Sequence, residues 1–262
     1  MFTGIIKELG KLTRIKGNST GLEIEVTCNN LAKDLQKGDS IAVNGCCLTV
    51  KENSKKAFIS DISNTTLSRT TFKYLKSGEI VNLENSLTLK DGLGGHLLTG
   101  HIDDTGKIVK IERRGEFYQF YIKIKTELLP YIIPRGSIAL DGISLTVSGV
   151  GTETAENESG WENLGKDVFH VSIIPFTFEN TNLKFKKEGD LVNIEVDLIL
   201  RYLVNILKNY AFIENTTDFS SPIETGNLGD FPGFPHFNER KKEWKEKDKL
   251  LKEMLEKYGF TK

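Results

Sequence analysis

The chain has 262 residues, of which 38% are hydrophobic and 27% charged, and its formal net charge is −1. This composition is typical of a soluble globular protein with one large core or two ordinary ones, and the balanced charge argues against nucleic acid or an anionic membrane as a partner. No apolar run is long enough to predict a membrane span, and the amino terminus predicts no secretory signal. The cysteines, Cys28, Cys46 and Cys47, match no zinc-site spacing. We therefore expect a reduced, cytoplasmic protein without a metal.

The first half predicts short strands. In "LEIEV", Leu22, Ile24 and Val26 alternate with glutamates, as they do in a half-buried strand. Further strand patterns follow in "SIAVNGCCLTV" from Ser40 and "GEIVNLE" from Gly78. Several short strands separated by glycine-containing turns predict a small closed barrel, which leaves no sheet edge exposed.

The second half repeats these patterns. "TGII" at Thr3 returns as "TGHI" at Thr99, "SIAVNGCCLTV" returns as "SIALDGISLTV" at Ser137, and "GEIVNLE" returns as "GDLVNIE" at Gly189. The offsets between copies are 96, 97 and 111 residues. Such self-similarity predicts a tandem duplication, with domains at 1–96 and 97–207 and an insertion at about 152–166.

Three further segments complete the second half and the tail. "YQFYIKIK" from Tyr118 predicts a strand that places Tyr118, Phe120, Ile122 and Ile124 on one side. Helical spacing in "DLILRYLVNIL" predicts a helix at about 197–209 that serves packing or oligomerisation. The remainder, 210–262, predicts a loop followed by a charged helix that docks on the body or on a partner subunit.

Five motifs together closely resemble the riboflavin synthase family of the alpha type. They are "MFTGII" at the amino terminus, "NGCCLTV" from Asn44, "GGHLLTGHID" from Gly94, "DGISLTV" from Asp141 and "VNIEVD" from Val192. The resemblance covers essentially residues 1–207. It implies an all-β fold of two tandem six-stranded Greek-key barrels, with a carboxy-terminal helix that assembles a homotrimer.

The resemblance also implies a reaction. Two molecules of 6,7-dimethyl-8-ribityllumazine dismutate, one giving a four-carbon unit to the other, and no cofactor takes part. The products are riboflavin and 5-amino-6-(ribitylamino)uracil. In the family the site lies between the first barrel of one subunit and the second barrel of its neighbour. An association with lumazine synthase is a further expectation.

Positions that change between the two halves are the candidates for chemistry, because the two substrate molecules play different parts. His101, where the first half has Ile5, is the first choice for proton transfer, although a histidine that only hydrogen-bonds and fills space remains open. Cys47, where the second half has Ser144, is either a nucleophile or a polarisable wall of the pocket. The remaining catalytic candidates are Thr146, which can hydrogen-bond the ring, and Asp141, which equally suits a structural turn. Cys46 is expected in the core, and His96 is expected to shape the site.

The resemblance assigns ligand contacts to both halves. In the first half they are Phe2, which is expected to stack on the ring, and Thr3, Gly4, Ile5, Ile6, Cys47, Leu48, Thr49, Asp61, Ile62, Ser63, Asn64, Thr65 and Thr66. In the second half they are Gly100, His101, Ile102, Arg135, Ser144, Leu145, Thr146, Ile174, Pro175, Phe176, Thr177, Phe178, Glu179 and Asp197, the last expected to hold ribityl hydroxyls.

Some positions depart from the family pattern. Arg135 replaces a common lysine, and a guanidinium can anchor a ring oxygen but cannot act as a base. Thr65 replaces a glutamate, and Phe176 and Phe178 replace a histidine and a leucine. These changes bear on the detailed contacts in the second barrel.

Two other functions compete with the enzyme. The first is a lumazine- or flavin-binding antenna protein that has lost catalysis, which the presence of His101, Cys47, Ser144 and Thr146 disfavours. The second is a barrel that binds nucleic acid or FAD. No basic, aromatic-interleaved strand and no glycine-rich phosphate loop supports it.

Overall fold

The computed structural model describes residues 1–18, 21–151 and 164–216. Residues Met1–Tyr210 form one compact unit that contains two closed six-stranded antiparallel barrels. The all-β tandem-barrel prediction is therefore confirmed. Most of the expected insertion at 152–166 and of the expected tail at 210–262 lies outside the described residues.

The first barrel is closed by pairing of its first strand with its last. Its spatial order is β1-β2-β5-β4-β3-β6, and the strands are β1 Glu8–Asn18, β2 Gly21–Thr27, β3 Ser40–Val43, β4 Cys46–Asn53, β5 Ala57–Ser63 and β6 Ile80–Asn85. The predicted "LEIEV" strand lies within β2.

The second barrel repeats this order as β7-β8-β11-β10-β9-β12. Its strands are β7 Asp104–Arg114, β8 Phe117–Lys123, β9 Ser137–Leu140, β10 Ile143–Val150, β11 Val168–Ile173 and β12 Leu191–Val196. The expected insertion falls between β10 and β11, where the first barrel needs only a short turn between β4 and β5.

Each barrel has its own core, and each core receives one residue from the other half. Ile102, which follows the second "TG" motif, is buried in the core of the first barrel. Ile6, which follows the first "TG" motif, packs against the core of the second barrel. The two halves are therefore interlocked where the chain enters them.

One residue of β8 departs from simple alternation. Tyr121 points away from the barrel interior and is nevertheless 0% exposed, because Val168, Val109 and Leu164 cover it. Its ring also stacks on His170 at 5.2 Å between centroids. A second apolar layer on the outer face cannot be read from a period of two.

The repeated "NG" and "DG" letters form the junction between the barrels. Asn44 and Asp141 have φ of 46° and 45°, and Gly45 and Gly142 follow at 78° and 79°, which is the backbone of a two-residue hairpin turn. A Cβ added to Gly45 would lie 2.6 Å from the nitrogen of Gly142. The two turns thus meet back to back, and only glycine permits so close an approach.

Asp141 is fully buried in this junction and lines neither of the two cavities described below. Its carboxylate accepts hydrogen bonds from the Asn193 backbone (2.7 Å) and the Asn182 amide (2.8 Å) and pairs with Lys186 at 3.0 Å. Asn82 donates to its carbonyl oxygen at 3.0 Å. The catalytic assignment of Asp141 is therefore replaced by the alternative, a structural turn.

Helical segments are short, apart from the last. They are α1 Leu31–Asp34, α2 Asn64–Arg69, α3 Pro175–Asn180 and α4 Leu198–Thr216, with 3₁₀ turns at Thr71–Tyr74, Thr126–Tyr131 and Asn182–Phe185. The helix expected at about 197–209 is α4, which continues to Thr216. Arg201 fastens α4 to the second barrel through Asp103 at 2.6 Å. In the described ranges, no helix is long and apolar enough to cross a membrane.

Replacement of Asp141 by alanine is expected to destabilise the protein by about 3–5 kcal/mol, because it removes the carboxylate that pairs with the largely buried Lys186 ammonium and leaves the buried Asn193 N–H without its acceptor. Asp141→Asn, which installs the first half's residue, should cost less. Urea unfolding measures both, with Lys123→Ala, which removes a half-exposed ion pair with Asp167, as a near-neutral control. An alanine variant as stable as the control would contradict the structural role.

Candidate functional site

Two buried glutamates hold the two "TG" motifs. The backbone N–H and the hydroxyl of Thr3 both donate to Glu84 Oε1, at 2.7 and 2.6 Å, and the N–H of Gly4 donates to Oε2 at 3.0 Å. Glu195 binds Thr99 and Gly100 with the same atoms at 2.7, 2.6 and 3.0 Å. Each carboxylate therefore fixes the entry segment of its own half.

Burial raises the pKa of Glu84 and of Glu195, while the threonine and glycine donors act in the opposite direction. With a raised pKa, the folded state binds a proton more readily than the unfolded state does. The contribution of these two groups to the free energy of unfolding is therefore present in full at a pH below 4.5, their ordinary pKa. It is lost as the pH rises through the raised pKa.

The held segments cross to the opposite barrel. The carbonyl of Gly4 accepts from the Ser144 backbone N–H at 2.8 Å, and the carbonyl of Gly100 accepts from that of Cys47 at 2.9 Å. Both glycines have left-handed φ, 76° and 78°. A Cβ there would lie 2.6 Å from Ser144 Cβ or 2.5 Å from Cys47 Cβ. Ile5 is thereby delivered beside the second barrel and His101 beside the first.

A cavity of about 470 Å³ opens at the first barrel. It brings together six predicted residues, Cys47, Leu48, Thr49, Asp61, Ser63 and Thr66, with four that were not predicted, Lys37, Gly38, Val50 and Lys51. Lys51 forms ion pairs with Glu23 at 2.8 Å and with Asp61 at 3.2 Å. Its hydrogen bond to Glu23 lowers the pKa of that carboxyl. The first cavity is therefore a charged one.

A cavity of about 400 Å³ occupies the equivalent place in the second barrel. Its predicted members are Ser144, Leu145, Thr146, Ile174 and Thr177, and its other members are Gly94, Gly95, Ser137 and Ser172. None of these side chains is ionisable at neutral pH. Ser172 stands where the first barrel has Asp61. The two residues occupy equivalent positions, because Ser172 of β11 pairs with β8 as Asp61 of β5 pairs with β2. The second cavity therefore offers hydroxyl groups where the first offers charges.

Phe2 and Thr3 are both buried at the junction between the barrels. Phe2 is 1% exposed, forms a two-stranded bridge with Leu98 and packs with Ala42 and Ala139. Thr3 is 5% exposed, and its hydroxyl donates to Glu84. Their contact with a ligand stays a prediction, and the structure gives both residues a place in the junction.

Four further predicted contacts take part in the protein's own packing or capping. Ile62 and Ile102 are core residues of the first barrel. Phe178 stacks on Tyr118 at 3.9 Å between ring centroids and packs against the second core. Asp197 caps α4, because its Oδ1 accepts from the N–H groups of Ile199 (2.9 Å) and Leu200 (3.0 Å).

The remaining predicted contacts stand outside both linings. Those at the surface include His101, Ile5 and Arg135, and residues of the short helices α2 and α3, namely Asn64, Thr65, Pro175, Phe176 and Glu179. Arg135 has φ of 67° where the first half has Gly38 at 96°. A guanidinium side chain thus starts from a backbone conformation that side chains rarely adopt.

The cysteines divide as expected. Cys46 is 4% exposed, and burial raises the pKa of its thiol to about 12. Burial also raises the pKa of Cys28, to about 11. Both are poor thiolates at neutral pH, whereas Cys47 is partly exposed in the first cavity. Over the described ranges, no cluster of three or more His, Cys, Asp or Glu side chains could hold a metal.

The sequence analysis missed several contacts around the two cavities. Glu84 and Glu195 stand at equivalent places in the repeated "GEIVNLE" and "GDLVNIE" motifs, and that repetition was the available signal. His96 has Nδ1 at 2.7 Å from Ser144 Oγ, and no local pattern indicates this contact. Lys37 lies in a turn and Lys51 in strand β4, and a lysine at such a position is typical of a solvent-exposed surface.

Comparison with known proteins places this arrangement in a family. A model of the lumazine binding domain matches residues 3–86 and 99–197. Riboflavin synthase of Actinobacillus pleuropneumoniae is 40% identical over 207 residues, which cover 79% of this chain and 90% of that protein. Riboflavin synthase of Bacillus subtilis is 35% identical over 207 residues, with the same coverage of 79% and 90%.

Solved structures agree with the fold. LumP complexed with riboflavin superposes with a TM-score of 0.66 at 27% identity, covering 75% of this chain and 99% of that chain. LumP complexed with 6,7-dimethyl-8-(1'-D-ribityl) lumazine gives a TM-score of 0.64 at 26% identity with the same coverage. The chain therefore belongs to the riboflavin synthase family and carries two lumazine-binding domains in tandem.

Proposed function

We propose that this chain catalyses the riboflavin synthase reaction. Two molecules of 6,7-dimethyl-8-ribityllumazine react, and a four-carbon unit passes from one to the other. The products are riboflavin and 5-amino-6-(ribitylamino)uracil, and no cofactor is needed. Its relatives carry this activity in their names, and the chain shares 35–40% of their residues over most of its length.

One observation carries the proposal: two cavities share a backbone frame and differ in their polar groups. A reaction between two copies of one molecule needs two pockets of similar shape. It also needs different chemistry at each, because one copy gives carbon and the other receives it. Cys47, Lys51 and Asp61 line the first cavity, whereas Ser144 and Ser172 line the second.

Proximity is the main catalytic device in this proposal. Two lumazines held face to face react in an oriented complex instead of a chance encounter, and such orientation is worth about 7–11 kcal/mol in favourable cases. The protein then has to accept a proton from the acidic 7-methyl group and stabilise the anion that spreads over the ring.

His101 is the proposed base. Gly100, its neighbour, is fixed by Glu195 and by the Cys47 backbone, and the His101 N–H donates to the Thr99 hydroxyl at 3.2 Å. Its main chain is therefore anchored on two sides while its side chain is exposed. Thr49 and Thr146, one in each cavity, are the proposed donors to the ring.

We also propose a homotrimer whose catalytic sites pair the first cavity of one subunit with the second cavity of its neighbour. The support is an apolar surface in two places. On α4 the side chains of Ile199, Tyr202, Leu203, Ile206 and Leu207 are between 51% and 66% exposed. Beside the second cavity, Ile174 and Phe176 are 50% and 73% exposed. Burial of such groups favours association.

Sedimentation equilibrium tests the assembly, and three chains per particle are expected. Leu203→Glu, which places a charge on the exposed apolar face of α4, should lower the mass and reduce turnover together. Lys107→Glu on strand β7 is a charge-changing control away from α4. A monomeric parent protein that turns over at full rate would contradict the inter-subunit site.

The proposed setting is the cytoplasm, where Cys28, Cys46 and Cys47, all unpaired, would stay reduced. An association with lumazine synthase would suit the supply of substrate. No surface of the described residues is assigned to it.

A second candidate is a non-catalytic carrier of lumazine or flavin. The similarity to LumP, whose structures hold riboflavin and 6,7-dimethyl-8-(1'-D-ribityl) lumazine, favours it. A carrier of one chromophore, however, needs only one lined cavity. The second set of polar groups in this chain has a purpose only if two ligands are held.

Incubation of the purified protein with 6,7-dimethyl-8-ribityllumazine alone decides between the two. The enzyme consumes two lumazines per riboflavin formed, which absorbance of both compounds measures. His101→Gln should reduce turnover by about two to four orders of magnitude, the usual contribution of a proton-transfer group. His170→Gln, on the far face of β11, is the matched control for activity. Tight binding with a fluorescence change and no riboflavin would establish the carrier.

A further inference from the structure

A histidine that the catalytic proposal does not use lies directly behind the second cavity. His96 Nδ1 is 2.7 Å from Ser144 Oγ. Ser144 lines the cavity, whereas His96 does not and is only 9% exposed. The imidazole can therefore act on a ligand only through the serine hydroxyl.

The backbone around His96 is fixed closely. Its N–H donates to the carbonyl of Thr3 at 3.2 Å, and Thr3 is in turn held by Glu84. A Cβ added to the preceding Gly95 would lie 2.2 Å from that same carbonyl and 2.9 Å from Ser144 Oγ. The segment between the barrels thus has room only for glycine at position 95, and the backbone of His96 is held beside Ser144.

The proton on the imidazole can be located from its partners. Burial lowers the pKa of His96, against an opposing effect of the Asp197 charge, so the neutral ring is favoured at neutral pH. Within the described residues, Nε2 is buried without a hydrogen-bond partner. A buried N–H without an acceptor is rarer and costlier than a buried acceptor without a donor. The proton therefore belongs on Nδ1, where Ser144 Oγ accepts it.

We propose that His96 is a positioning residue that donates its Nδ1–H to Ser144 Oγ and so turns the serine's own proton toward the ligand in the second cavity. The ligand atom at this place must then be a hydrogen-bond acceptor, such as a ring carbonyl oxygen or an unprotonated ring nitrogen of the pteridine. This inference rests on the proposed function for the identity of the ligand.

The arrangement distinguishes the two cavities. The equivalent of Ser144 is Cys47, and a thiol is a weak donor. The lining of the first cavity, as described, contains no residue from the segment between the barrels, whereas Gly94 and Gly95 belong to the second. At this position of the repeated motif, a directed hydroxyl donor is thus found in the second cavity and not in the first.

Binding of riboflavin, followed by fluorescence quenching, tests this independently of turnover. His96→Leu and Ser144→Ala should each weaken riboflavin binding to the second cavity by about tenfold, the equivalent of about 1.4 kcal/mol. If His96 acts through Ser144, the double variant is also weakened by about tenfold, because the two changes remove one interaction. A loss of about a hundredfold in the double variant would mean that they act separately and would overturn the proposal.

Two conservative variants keep the test decisive if His96→Leu does not fold. The amide nitrogen of asparagine reaches the place of Nδ1, whereas that of glutamine reaches the place of Nε2. His96→Asn should therefore bind within about threefold of the parent protein, and His96→Gln should resemble Ser144→Ala, given that one hydrogen bond is worth about 1 kcal/mol. Equal binding by both would overturn the role of Nδ1. A parent protein that binds riboflavin but forms none from 6,7-dimethyl-8-ribityllumazine would count against the proposed reaction, whereas the role of His96 is decided by the binding of its variants.

Discussion

The bidentate clamp of each buried glutamate on a threonine and a glycine is the interaction on which the rest of the structure depends. Glu84 and Glu195 each accept three hydrogen bonds, so a buried carboxylate is offset by donors on the segment that it holds. Because those segments cross between the barrels, a contact within one half sets the shape of the cavity in the other. Ser144 and Cys47 are placed by carbonyl oxygens that these glutamates fix.

Duplication explains why the two cavities are alike, and the unrepeated residues explain why they differ. The turns at Asn44 and Asp141 are retained in both halves because the barrels meet there, where the contact tolerates only glycine at the following position. Cys47 and Ser144 follow three residues later in strands β4 and β10 and line the two cavities. The same short motif therefore contains a pair of residues that builds the junction and a pair that lines the cavities.

Much of the fold could be predicted from the sequence, because alternation and self-similarity are local signals. The site was predicted less completely, since it depends on contacts between distant residues. Phe2 stands in a family motif, yet its bridge with Leu98 buries it between the barrels. His96 reaches Ser144 across 48 positions, and Lys51 lines a cavity although no sequence pattern indicates it. Residues on repeated strands, such as Thr49, line a cavity, and their register follows from the repeated pattern.

The crossing of the entry segments is most directly tested by Gly4→Ala and Gly100→Ala. Isotope-labelled riboflavin would report the two cavities as separate NMR signals, assigned with Thr49→Val and Thr146→Val. A Cβ at Gly4 presses on Ser144, and one at Gly100 presses on Cys47, while Gly92 has open space around it and provides the control. Gly4→Ala should weaken the second cavity and Gly100→Ala the first, each by about tenfold or more, given a strain of about 1–3 kcal/mol. If each substitution instead weakened the cavity of its own barrel, the crossed construction of the two sites would be contradicted.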